Sequence, residues 1–90
     1  MSIYFTSLTP FGEVRVYYVA TPSLTFFVAS LVKGEFEQVW GADSFSPQAA
    51  LNQAVAAWDM ARPSSQCNPF KGALAELMEL EGSPPQLIPL

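Results

Sequence analysis

Residues 13–32 read EVRVYYVATPSLTFFVASLV, and this stretch decides the fold. In its first part, two sets of side chains alternate along the chain. One set is Val14, Val16 and Tyr18, and the other is Glu13, Arg15 and Tyr17. Such period-two alternation is typical of a strand with one buried face. We therefore predict a half-buried antiparallel strand over residues 13–19.

The second part of the stretch is almost continuously apolar from residue 24 to residue 32. Residues 16–32 carry no charge, so they reach the lower length limit of a membrane-spanning helix. However, Pro22 lies in a Thr-Pro-Ser turn, and the residues around it are rich in Val, Phe and Tyr, which favour strands. We expect two strands here and no membrane span.

Further strands are predicted on both sides of this pair. Residues 3–8 form a short apolar run that ends at the turn sequence TPFG, residues 9–12. Lys33 and Gly34 are a hairpin signal, because glycine readily adopts a positive φ angle. Residues 35–40 then alternate again. The N-terminal half therefore predicts three to four antiparallel strands.

The period changes after residue 45. Ser46 and Pro47 are typical of a helix N-cap and first turn, and the pair Asn68 and Pro69 repeats the pattern. We predict helices over residues 47–62 and 69–81, ended by Pro63 and Gly82. The predicted apolar stripes are Ala50, Leu51, Ala54, Trp58 and Ala61 on the first helix, and Phe70, Ala73, Leu74, Leu77 and Met78 on the second.

Strands followed by helices indicate an α+β fold, here an antiparallel sheet of three to four strands followed by two helices packed on one face. Residues 1–82 are expected to form a single domain. Residues 83–90 contain three prolines and are expected to form a tail that is not helical.

The composition argues against several classes of function. The 90 residues include no histidine and one cysteine, Cys67, so we expect no zinc site, no nucleophilic Ser-His or Cys-His dyad and no other cofactor. The four basic residues are dispersed and the net charge is −4, so direct nucleic-acid binding is not expected. Because no basic signal segment begins the chain, we expect a cytoplasmic protein. Because the sequence has no histidine and no cofactor motif, we expect it not to be an enzyme.

Charged residues make up only 13% of the chain, against about 25% in typical soluble domains. Apolar surface is then expected to remain exposed and to form a contact surface. The candidate partner-binding residues are Tyr17, Glu35, Glu37, Trp40 and Asp43. Simpler roles stay open for some of them: Trp40 as a core residue, Tyr17 as an ordinary surface residue, and the two glutamates as one solvated strand face.

The order of a strand meander and then helices, over residues 13–58 with the helix start SPQAA at 46–50, resembles type I anti-CRISPR proteins of phages and mobile elements. This resemblance is architectural and implies a stoichiometric inhibitor that occupies a surface of a host complex. It carries over no functional residue, since that family has no shared site. The small number of carboxylates favours contact through aromatic and apolar groups over mimicry of nucleic acid.

Two functions are therefore expected from the sequence. The first is a small, non-catalytic protein that binds and inhibits a host protein or complex, as a phage anti-defence factor. The alternative is a structural or assembly protein of a phage or mobile element that associates with itself as a homo-oligomer.

Overall fold

The computed structural model describes residues 1–62 and 67–87, and within residues 82–87 only the backbone. The chain forms four strands and then two helices, which confirms the predicted α+β fold. These elements are β1 (Ser2–Thr9), β2 (Gly12–Ala20), β3 (Thr25–Lys33), β4 (Phe36–Asp43), α1 (Pro47–Ala61) and α2 (Pro69–Leu87).

The four strands form one antiparallel sheet in the order β1-β2-β3-β4, so each strand pairs with its neighbours in the chain. Residues 16–32 belong to β2, β3 and the turn between them, as predicted. In the part of the chain that the structure describes, no helix has the length and apolarity needed to cross a membrane.

Both helices pack on the same face of the sheet. The β2–β3 register places Val14 opposite Leu31 and Val16 opposite Ala29, and these four side chains, with Phe5 of β1, form the sheet's share of the core. The helices supply the remainder, which consists of Ala50, Leu51, Ala54, Trp58, Phe70, Ala73 and Leu77. The predicted stripes are thus largely confirmed, except that Ala61 and Met78, near the exposed ends of their stripes, face solvent.

The start of α1 follows directly from its sequence. The Ser46 side chain accepts a hydrogen bond of 3.0 Å from the backbone N–H of Ala49, and Pro47 occupies the first turn, where its missing N–H costs nothing. Arg62 is the C-cap residue. Pro63, which was predicted to end the helix, and the loop 64–66 lie outside the described residues.

The end of α2 differs from the prediction. The helix continues through Gly82, Pro84 and Pro85 to Leu87, whereas the sequence predicted an end at residue 81 and a non-helical tail. Proline has a fixed φ near the helical value, so a helical backbone can pass through it, but it removes one hydrogen bond and crowds the carbonyl group four residues earlier. Residues 88–90 of the predicted tail lie outside the described residues.

α1 approaches the sheet most closely at Gly41 in β4. A Cβ atom at this position would lie 2.7 Å from the backbone nitrogen of Ala54 and closer still to the carbonyl oxygen of Ala50. Real Cβ atoms essentially never come this close to another heavy atom, so only glycine fits unless the helix moves. Gly41 therefore sets the distance between α1 and the sheet.

We predict that Gly41→Ala lowers the free energy of unfolding by about 1–3 kcal/mol or more, because the added methyl group overpacks the helix–sheet contact. Gly72→Ala is the matched control. Gly72 lies in α2 with open space around its Cβ position, and there alanine should stabilise the helix by about 0.5–1 kcal/mol. Urea denaturation of both variants measures the two changes. Equal effects at the two positions would contradict the close approach.

Candidate binding surface

The sheet face opposite the helices is uncovered, and we call it the open face. The strand registers and the burial of alternate side chains on the helix side define it. Its residues are Ile3, Thr6, Leu8, Glu13, Arg15, Tyr17, Val19, Phe26, Val28, Ser30, Val32, Glu37, Val39 and Ala42. Most of these side chains are apolar, although no other part of the described chain covers them.

A hydrogen-bonded polar network crosses the centre of the open face. Arg15 Nε donates to Glu13 Oε1 over 3.1 Å, and a second guanidinium nitrogen lies 3.0 Å from the same carboxylate. Arg15 also donates to the Tyr17 hydroxyl, and that hydroxyl donates to Glu37 Oε2. Ser30 Oγ donates 2.7 Å to the same Glu37 oxygen. The network thus joins strands β2, β3 and β4.

These bonds stabilise the charged forms of Glu37 and Arg15. Hydrogen bonds from Ser30 and then Tyr17, with the nearby charge of Arg15, hold the pKa of Glu37 below its ordinary value. The hydrogen bonds to Tyr17 and Glu13 likewise raise the pKa of Arg15. The charged groups at the centre of the open face therefore already satisfy one another.

Exposed apolar side chains surround this network. On β1, Ile3 is 54% exposed and Leu8 is 86% exposed, and on β4, Val39 is 59% exposed. Val19, Phe26, Val28 and Val32 are half-buried between neighbouring strands. The open face is thus an apolar surface with a fixed polar centre, and the sequence prediction of exposed apolar area is realised here.

Two of the five predicted contact residues, Tyr17 and Glu37, meet on the open face. Glu35 does not join them on a strand, since Gly34 and Glu35 form the two-residue β3–β4 turn and β4 begins only at Phe36. The turn falls there because Gly34 adopts a φ of 63°. The expectation that Glu35 and Glu37 share a strand face is therefore wrong.

Trp40 lies on the helix side of the sheet. The β3–β4 register shifts between Ala29 and Ser30, which inserts Trp40 as an extra residue in β4. Its ring is half-buried, 5.1 Å from the ring of Trp58 and 6.2 Å from that of Phe70. A core position was one of the two roles that the sequence left open for Trp40, and the structure shows that role. Trp40 does not belong to the open face.

Asp43 ends β4 and holds the connection to α1. Its carboxylate accepts a 2.7 Å hydrogen bond from the backbone N–H of Phe45 and a 2.8 Å bond from the side-chain amide of Gln53. Both oxygens are therefore engaged within the domain. Asp43 therefore stabilises the turn between β4 and α1.

Sequence reasoning missed the contribution of Ser30. It is a polar residue within an apolar run, and its full burial under Glu37 and Arg15 depends on cross-strand pairing. Among residues 1–62 and 67–81, no group of three or more Cys, Asp or Glu side chains is arranged to hold a metal ion. The chemistry that this surface offers is contact and hydrogen bonding.

No protein-family model matches the chain, and neither the curated proteins nor the solved structures contain a match.

The Glu37 network predicts a specific pH dependence. Since folding lowers the pKa of Glu37 from 4.5, its ionised form stabilises the fold above that pH, and this contribution is lost as the pH falls through the lowered value. Because the group is exposed, the contribution is expected to be less than about 1 kcal/mol. Glu37→Gln should lower the free energy of unfolding at pH 7. Between pH 5 and pH 3, the free energy of unfolding of this variant should fall less than that of the wild type.

Glu35→Gln is the control for this experiment, because it removes the same charge from the adjacent turn outside the network. Thermal unfolding, followed by circular dichroism at a series of pH values, compares the three proteins. If Glu35→Gln flattens the pH profile as much as Glu37→Gln does, the network does not account for the effect.

Proposed function

We propose that this protein acts by binding another protein through the open face, without catalysis, and that it inhibits a host protein or complex in the cytoplasm of the host cell. The observation that carries this proposal is that the open face exposes apolar side chains around a polar centre whose groups are hydrogen-bonded to one another. The inhibitory role rests on the resemblance in size and element order to small phage-encoded inhibitors.

The desolvation energetics of the open face support a contact function. Burying an unpaired charge against a partner is costly, whereas charges that already hold hydrogen bonds lose less on leaving water. Arg15 is paired with Glu13, and Glu37 accepts from both Ser30 and Tyr17. A partner can therefore cover the centre of this face without supplying new counter-charges.

The charge balance indicates the chemistry of the partner. The net charge of −4 favours approach to a positively charged surface. Glu35, in the β3–β4 turn at one end of the sheet, is exposed and lies outside the polar network. The complementary surface is thus an apolar patch with basic residues on its rim.

We expect that Val39→Lys weakens partner binding at least tenfold, since it places a charge in the apolar part of the open face and opposes a basic rim. Met60→Lys is the matched control. Met60 is an apolar residue of α1 that is 83% exposed, on the helix side of the molecule. Both substitutions replace an exposed apolar side chain with the same cation.

The measurement is quantitative mass spectrometry of proteins captured from host lysate by the tagged wild type and the two variants, followed by titration of the purified candidate. The proposal requires a stoichiometric partner whose binding is lost with Val39→Lys and kept with Met60→Lys, and whose activity falls on binding. Equal loss in both variants, or binding that is unaffected by Val39→Lys, contradicts the role of the open face.

Self-association is the second candidate function, and one specific feature favours it. The open face is largely apolar and its charged groups are hydrogen-bonded within the domain, so two copies can bury it against each other by sheet-on-sheet packing about a twofold axis. In that case the partner is a second copy of this chain.

Light scattering after size-exclusion chromatography separates the two functions. The partner-binding proposal predicts a molar mass of 9.8 kDa at micromolar concentration. A mass of twice that value for the wild type, which returns to the monomer value in Val39→Lys but not in Met60→Lys, supports self-association through the open face.

A further inference from the structure

A groove of about 660 Å³ lies on the helix side of the molecule. Three parts of the fold enclose it: the β1–β2 turn, the β3–β4 hairpin and the C-terminal end of α1. Its lining includes Phe11, Lys33, Phe36, Trp40, Trp58 and Arg62. Its volume lies within the range of about 300–1,000 Å³ that is usual for small-molecule sites.

The walls of the groove are aromatic. The rings of Phe11 and Trp58 lie 5.6 Å apart, and the rings of Trp40 and Trp58 lie 5.1 Å apart. Phe36 is 80% exposed at the outer end of the hairpin, so its ring remains available for contact. Such walls favour a flat, apolar ligand body.

The charged groups of the groove favour a ligand anion. Lys33 and Arg62 are exposed, and within the described residues neither forms a salt bridge. Glu37 also lines the groove, but its carboxylate accepts hydrogen bonds from Ser30 and Tyr17 on the open face. The cations of the groove therefore lack a paired carboxylate.

Trp58 provides a second, independent observation. Its indole Nε1 is buried and has no hydrogen-bond partner in the described structure, which is unusual for a buried donor. The guanidinium of Arg62 stacks 4.7 Å from the centre of the same ring, and a guanidinium has donors only. Neither the indole ring nor the guanidinium supplies a hydrogen-bond acceptor, so the Nε1 hydrogen can be satisfied only by an acceptor from elsewhere.

We propose that the groove binds a small aromatic carboxylate. The ring system of the ligand packs between Phe36 and Trp40, and its carboxylate pairs with Lys33 and Arg62 at the rim. The indole N–H of Trp58 donates to the carboxylate once Arg62 moves to pair with it. This site shares only Glu37 with the open face, and the proposal does not depend on the proposed function.

The test is a titration of the ¹⁵N-labelled full chain with 2-naphthoate, followed by the indole N–H resonances in nuclear magnetic resonance spectra. The chain has two tryptophans, and Trp40→Phe assigns the signal of Trp58. We expect saturable movement of the Trp58 signal. The neutral isostere 2-naphthamide should bind at least about fivefold more weakly, because it cannot pair with the cations.

Charge-removing variants locate the anion site. Lys33→Gln and Arg62→Gln should each weaken 2-naphthoate binding about three- to tenfold. This range extends from the effect of an exposed ion pair to that of a charge-assisted hydrogen bond. Lys71→Gln, which removes a cation from α2 outside the groove, should leave it unchanged, as should Val39→Lys on the open face. Melting temperatures confirm that all variants fold.

Three results overturn the proposal. The first is equal binding of 2-naphthoate and 2-naphthamide. The second is equal weakening by Lys71→Gln and Arg62→Gln. The third is loss of binding in Val39→Lys with retention in Arg62→Gln, which places the ligand on the open face instead.

Discussion

The contact between Gly41 and α1 determines how the two faces of the sheet differ. With no side chain at this point of β4, the helix lies directly on the strand, and the small residues Ala50 and Ala54 form its contact surface. The same approach carries Trp58 over Trp40 at the far end of the helix. Because α1 and α2 both lie on this side, all of the buried aromatic core belongs to one face, and the other face keeps its apolar residues exposed.

This one-sided arrangement explains the low charge of the chain. In a two-layer domain with 13% charged residues, the uncovered side of the sheet would ordinarily carry most of the polar groups. Here the open face carries a single network around Arg15 and Glu37, and valines and aromatic rings occupy the remaining positions. The polar groups of the open face lie together and form hydrogen bonds with one another. The apolar side chains therefore form a continuous surface around them.

Strong local patterns made the fold predictable from the sequence. Period-two alternation in residues 13–19 and the caps at Ser46 and Asn68 are local signals, and the elements that they predicted were confirmed. The β3–β4 hairpin was less predictable, because the turn moved by one residue and β4 contains a bulge at Trp40, which places Gly41 opposite Ala29. A bulge changes which side chains face inward, and a single sequence gives no direct sign of it.

The candidate surface was predictable only in part, for the same reason. Tyr17 was correctly assigned to the open side because its strand is regular, whereas Trp40 and Glu35 depended on the irregular hairpin. The end of α2 was missed because Gly82 and two prolines have low helix propensity, and propensity alone does not fix a helix end. The fully buried Ser30 required the cross-strand register, which is a property of the assembled sheet.

The nearest-neighbour strand order also has a consequence for how the chain folds. Each hairpin can form from residues close in sequence, so pairing of the strands requires no long loop closure, and this favours rapid formation of the sheet. β1 is an edge strand, and α2 is joined to it by a 2.7 Å bond from Ser7 to Glu76 and by a bond from Tyr4 to Glu81. Until α2 has docked, Phe5 and Val14 lack part of their cover. The interval between sheet formation and helix docking is thus the period in which this chain is most exposed to aggregation.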